Sequence, residues 1–112
     1  MMQVWNMSEI SEYDVIVSEA ALAMLDNHIA FLAKMSIKAA EELMNEILND
    51  SASLSQFPER FPVFESEFIP EGRYRKMLSA KRYLILYEID GSDVCVDYIV
   101  DCRQDYEWLI GN

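Results

Sequence analysis

The sequence predicts an α+β fold in which a helical hairpin packs on one face of a mainly antiparallel four-stranded sheet. Three observations predict it. Apolar residues recur at three- and four-residue spacing through two consecutive stretches, each opened by a serine. The last third holds three runs of β-favouring residues, two of them joined by Asp90-Gly91. A further short β-favouring run precedes the first helix. The order β, α, α, then three β gives the two helices one sheet face to cover.

Each element follows from local sequence. Residues 1–12 read as a lead-in and 13–112 as one domain, since 112 residues suit a single core. Tyr13–Ser18 (YDVIVS) reads as a strand. Ser18 can then cap a helix, with Glu19 in its first turn favoured by the helix dipole. Leu22, Leu25, Ile29 and Leu32 follow at helical spacing, Met24, Phe31 and Met35 widen the apolar face, and the helix should end near Lys34. Ser36 offers a second cap. Ala40, Leu43, Met44, Ile47 and Leu48 then predict a helix from about Ile37 to about Leu54, with Glu41, Glu42, Glu46 and Asp50 largely on its wet side. The short break between the helices makes an antiparallel hairpin the economical arrangement.

QFPERFPVFESEFIPEG, residues 56–72, contains all three prolines and reads as an ordered loop, its aromatic residues docked on the core. Three strand candidates follow: Tyr74–Leu78, Tyr83–Ile89 and Val94–Val100. The second is apolar on both alternating faces, the mark of a central strand. The third alternates, with Val94, Val96, Tyr98 and Val100 on one face and Asp97 and Asp101 on the other. RQDYEWLIGN, at the end of the chain, reads as a short helix or turn.

Composition narrows the classes. About half the residues are apolar, so the chain can bury a core. The start is mixed and acidic, without the basic head and apolar run of a signal peptide, and no apolar run is long enough to cross a bilayer. Cys95 and Cys102 read as reduced thiols of a cytoplasmic protein, and with no further ligands beside them they argue against a metal site. No cofactor motif is present. The net charge of −11 argues against non-specific nucleic-acid binding by the molecule as a whole. Yet RYRKMLSAKR, residues 73–82, gathers Arg73, Arg75, Lys76, Lys81 and Arg82 with no acid among them, leaving 4 basic side chains for the other 102 positions. One reading is a solvated strand edge, where cations deter aggregation. The other is a working surface.

The chain resembles the RelE/ParE superfamily, the toxins of type II toxin–antitoxin modules long labelled plasmid-stabilisation proteins, over roughly Tyr13 to Ile110. YDVIVSEAALAML is similar to the family's opening strand and helix. FPERFP is similar to its Phe-Pro-Glu-Arg segment, and YRKMLSAKRYLILYEIDG to its Tyr-Arg-Lys hairpin. VDYIVDCRQDYEWL is similar to its last strand and Arg-x-Asp ending. The resemblance implies a growth-inhibiting bacterial toxin held inactive by a cognate antitoxin. It works either by binding DNA gyrase, as ParE-like members do, or by cutting messenger RNA on the ribosome, as RelE-like members do. A homodimer and a toxin–antitoxin hetero-oligomer both fit it. An inactive binding module of the same fold is the third reading.

RNA cleavage of the RelE kind needs cations to stabilise the phosphorane and groups to move protons. By the resemblance, Arg75, Arg103 and Tyr106 fall at candidate catalytic positions, and Arg73, Lys76, Lys81 and Arg82 at binding positions. Met77 and Leu84 stand where such enzymes carry further cations, and Cys102 where many carry histidine. His28, the only histidine, reads as a structural or surface residue of the first helix. The incomplete set and the RQDYEWL ending favour the ParE-like side. Arg75 and Lys76 must point to opposite faces of a regular strand, so only one can line the uncovered face. The expectation is that Arg73 and Arg75 meet Arg103 there.

Overall fold

Two serines set where the helices begin. In a computed structural model, which describes residues 13–66 and 69–103, Ser18 Oγ accepts the Ala21 N–H at 3.0 Å and Ser36 Oγ accepts that of Ala39 at 3.1 Å. Each satisfies one of the N–H groups that a helix start leaves without a partner, a contribution of about 1 kcal/mol. Strand β1 spans Asp14–Val17, helix α1 Glu19–Ala33 and helix α2 Ile37–Ala52. Both helices sit where the apolar spacing puts them. The α2 stretch is shorter than its periodicity suggests, because Ser53–Ser55 tightens into a 3₁₀ turn.

The remaining strands of the described residues are β2 (Val63–Ser66), β3 (Ile69–Ser79), β4 (Tyr83–Asp90) and β5 (Asp93–Asp101). Among the described residues the sheet has five strands in the order β1-β5-β4-β3-β2, not four. β1 runs parallel to β5, and the other three pairs are antiparallel. The extra strand comes from residues 56–72, read above as a loop. Pro58 and Pro62 confine that segment to a 3₁₀ turn (Pro58–Arg60), but β2 and the start of β3 follow as a hairpin. Pro70 stands at the start of β3, where a missing N–H is tolerated.

β5 departs from simple alternation. Val96 pairs with Tyr87 and Tyr98 with Leu86, so the register skips Asp97. This bulge flips every later side chain to the opposite face. Val94, Val96 and then Ile99 join Leu25, Ile47, Met77, Ile85 and Tyr87 in the core beneath the helices. Tyr98 goes to the other face instead, where it packs with Phe64, Tyr74, Leu84 and Leu86 in a second apolar cluster. The face without a helix is thus not simply wet. Leu86 there is fully buried, and burying such a side chain contributes about 1.5–3 kcal/mol. Asp101 is the other consequence. Expected on the wet face, it lies across from Tyr83 on the helix side and is fully buried.

Candidate functional site

The β3–β4 turn and the end of β5 meet at Asp101. Ser79 pairs with Tyr83, leaving Ala80, Lys81 and Arg82 to turn the chain. Arg82 Nη2 lies 3.1 Å from Asp101 Oδ2, and Asp101 Oδ1 accepts the Arg103 N–H at 2.8 Å. The Cys102 N–H donates to the Arg82 carbonyl at 2.8 Å. One buried carboxylate therefore fixes the Arg82 guanidinium and the backbone that carries Arg103. A hydrogen bond with Tyr83 and the nearby Asp101 charge hold the Arg82 guanidinium above its ordinary range, against the opposing effect of burial.

Between this junction and the end of α1 lies a cleft of about 440 Å³. Its apolar wall is Phe31, Leu32 and Met35, its cationic wall Arg82 and Arg103, and His28, Tyr83 and Asp101 line the remainder. Phe31 and Met35 are 60% and 78% exposed, so this apolar wall is open to a partner rather than sealed into the core. The His28 ring meets that of Tyr83 edge-on at 5.3 Å, and the Arg82 guanidinium lies 5.4 Å from the Tyr83 ring centroid. The histidine read as structural thus does pack, and it also borders the cleft.

The other sequence-selected cations go elsewhere. Arg75 pairs with Tyr87 on the helix side of the sheet. Its Nη1 donates to the Phe61 carbonyl at 2.6 Å and to that of Glu59 at 3.2 Å, while Tyr87 Oη donates to the Pro58 carbonyl at 2.6 Å. Arg75 and Tyr87 together pin the 58–61 turn. Burial pushes the Tyr87 phenol up to about 12, so it stays a donor at physiological pH. Lys76, one position on, takes the opposite face. Lys81 is exposed at the tip of the turn. Met77 is buried in the helix-side core and Leu84 packs on the other face, so neither restores a cation. Tyr106 lies outside the described residues. The expected meeting of Arg73, Arg75 and Arg103 on the uncovered face does not occur. Arg82 is the partner of Arg103, and Asp101, which joins them, was hidden from sequence reasoning by the bulge.

Arg73 belongs to a separate cluster. Its Nε and Nη2 each donate to the Glu88 carboxylate at 3.3 Å, and its guanidinium sits 5.3 Å from the Tyr74 ring centroid. Tyr74 Oη donates to Asp97 Oδ2 at 2.6 Å. The Arg73 hydrogen bonds hold the Glu88 carboxyl below its ordinary range, whereas burial raises that of Asp97, with Glu88 beside it adding to the rise. Burial and the Asp97 hydrogen bond raise the Tyr74 phenol. Burial likewise raises the Cys95 thiol, and neither Cys95 nor Cys102 is in a disulfide among the described residues.

The cleft can hold an apolar side chain next to an anionic group. Among the described residues no cluster of three or more His, Cys, Asp or Glu could hold a metal ion, and no helix is long and apolar enough to cross a membrane.

Comparison with known proteins places these features in a family. The solved structure titled "Chromosomal ParDE TA system from P. aeruginosa" shares the fold, with a TM-score of 0.67 at 15% identity over 81% of this chain and 97% of that one. Curated protein sequences give no match. The profile of the family described as "ParE toxin of type II toxin-antitoxin system, parDE" matches residues 15–106, from the core of β1 past the Arg82–Asp101–Arg103 junction. The chain belongs to the ParE toxin family of type II toxin–antitoxin systems.

Proposed function

We propose that the protein is a cytoplasmic toxin that arrests growth by binding DNA gyrase, through the cleft bordered by Arg82 and Arg103, and that a cognate antitoxin neutralises it by occupying the same end of the molecule. Family membership supports the toxin and its antitoxin. The observation that carries binding over cutting is the fate of Arg75. Its guanidinium is spent on two backbone carbonyls, on the far side of the sheet from Lys76 and away from Arg103. Phosphoryl transfer needs several cations converging on one phosphate, and Met77 and Leu84 supply none. The cleft instead offers what a protein partner uses: exposed apolar side chains beside the Arg82 guanidinium, which Asp101 holds in place, and Arg103.

Purified protein should inhibit gyrase supercoiling, and Arg82→Ala with Arg103→Ala should abolish both that inhibition and growth arrest. The double variant should keep its helical circular dichroism. Mapping of messenger 5′ ends after induction should show no new cuts. Site-specific cuts on translated messages would overturn binding in favour of a ribosome-dependent endoribonuclease, and silence in both assays, without growth arrest, would leave an inactive module of the same fold.

A further inference from the structure

Among the described residues, part of the β3 edge has no neighbouring strand. β2 pairs with β3 only as far as Val63↔Arg75, with one more bond from the Lys76 N–H to the Pro62 carbonyl at 3.0 Å. β3 runs on to Ser79, roughly 10 Å further at about 3.3 Å per residue. Backbone direction alternates along a strand, so Leu78 turns its N–H and carbonyl to the side that Lys76 does. Among the described residues no strand lies there, because the chain upstream of Pro62 bends toward Arg75. Beside this open edge is a groove of about 390 Å³ lined by Phe61, Pro62, Lys76, Leu78 and Leu84. Leu78 is 59% exposed, the most accessible large apolar side chain of the sheet among the described residues. The groove is on the face opposite the Arg82–Arg103 cleft, since Leu78 pairs with Leu84 while Ser79 pairs with Tyr83.

We propose that this edge and groove form a second docking surface, taking a short extended segment of a partner polypeptide in which an aliphatic residue is flanked by acidic ones. Three features select that occupant. The unpaired N–H and carbonyl of Leu78 are satisfied by another backbone in strand conformation, the recognition mode of strand addition. The apolar lining takes an aliphatic side chain facing Leu78 and Leu84. Lys76 is the only charged residue among the described ones that line the groove, so a carboxylate on the segment is attracted where a lysine would be repelled. A second copy of the chain fits less well, because a molecule of net charge −11 resists its own approach.

The test uses the full-length ¹⁵N-labelled protein and the peptide acetyl-Gly-Glu-Leu-Glu-Val-Gly-amide, titrated to millimolar concentration. Saturable amide shifts centred on Lys76–Ser79 and Leu84 are expected. Leu78→Glu, at an exposed position, and Lys76→Glu should each weaken binding by about tenfold while the thermal midpoint holds. The same peptide with lysine for glutamate should bind more weakly still. A peptide methylated on the leucine nitrogen should not bind, which separates backbone pairing from simple filling of the groove. Absence of shifts, shifts centred on the Arg82–Arg103 cleft, or equal binding by the methylated peptide would overturn the proposal. A dimer of the free protein that Leu78→Glu disperses would also overturn it, assigning the edge to a second copy. None of these readouts depends on gyrase inhibition, so the two surfaces succeed or fail separately.

Discussion

Asp97 shows how one residue can hold a fold in a costly state. As the extra residue of the β5 bulge it has no partner in the β4 register, and its main chain serves the helix layer: the Ser18 hydroxyl donates to its carbonyl at 3.4 Å. Its carboxylate is left on the other face beside Glu88, and the Tyr74 hydroxyl donates to it at 2.6 Å. Burial, with Glu88 adjacent, raises its carboxyl above the ordinary range. The folded state therefore holds this proton more tightly than the unfolded chain does. The stability this contributes is full at low pH and is lost as pH rises through the folded-state value. At neutral pH the ionised carboxylate weakens the fold. Asn in its place keeps an acceptor for Tyr74, adds a donor for Glu88 and does not titrate. Asp97→Asn should raise stability at pH 7 by about 0.5 kcal/mol, a modest figure because the site is only half-buried and screened. The gain should shrink as pH falls toward the carboxylate range. Urea midpoints at several pH values check it, and a variant less stable at pH 7 would show that the Tyr74–Asp97 contact needs its charge. Glu88 has the opposite sign: held low by Arg73, its contribution is present above the ordinary carboxylate range and lost in acid.

At the scale of elements, the two hairpin turns of the C-terminal sheet contrast. β4 and β5 join through Gly91 and Ser92, with Gly91 at φ +61°, a conformation glycine adopts without steric cost. β3 and β4 join through Ala80, Lys81 and Arg82, the first two at φ +51° and +72°, where a Cβ costs about 1–2 kcal/mol per residue. Lys81 is exposed and Ala80 packs on the core, so Lys81 is the residue that can be exchanged. Lys81→Gly should stabilise the protein by about 0.5–1 kcal/mol net of the greater unfolded-state freedom of glycine, read as a raised thermal midpoint. A lowered midpoint would mean that the lysine side chain, not the turn geometry, holds the tip. The same elements show what the sequence could convey. The helices were legible because their apolar spacing and serine caps agree. So was the Asp90-Gly91 hairpin. β2 was not, since Pro58 and Pro62 mask the strand behind them. The bulge was not, because Val94, Val96, Tyr98 and Val100 look like unbroken alternation while one inserted residue reverses the faces. That single irregularity moved Asp101 under the helices, where it meets Arg82 and the Arg103 backbone, while Arg75 lies four residues away along the ladder. Parity alone did require that only one of Arg75 and Lys76 reach the uncovered face, and it is Lys76.

For the whole molecule the governing quantity is charge. Five of the 9 cations lie within residues 73–82, yet the fold disperses them: Arg73 to Glu88, Arg75 to the 58–61 turn, Lys76 to the open groove, Lys81 to the turn tip and Arg82 to Asp101. They form no single basic face, so local pairing offsets little of the net −11. The radius of gyration is 14.1 Å. The Debye length is about 30 Å at 0.01 M salt and about 8 Å at 0.15 M. At low salt every acidic group therefore acts on most of the others across the fold, and at physiological salt only near neighbours interact. Two effects compete as salt rises. Screening weakens the Arg73–Glu88 pair, but an exposed pair of this kind contributes about 0–1 kcal/mol, and the Arg82–Asp101 pair is shielded on its carboxylate side by burial. Screening also relieves the self-repulsion of the compact state, which involves all 20 acidic side chains. The second effect is larger, so the thermal midpoint should climb between 0.01 M and 0.15 M sodium chloride and then level off, since beyond that concentration the remaining interactions are already short-ranged. A midpoint that falls over this interval would mean that the few ion pairs outweigh the acidic surface, and that the dispersed cations carry more of the stability than their exposed geometry suggests.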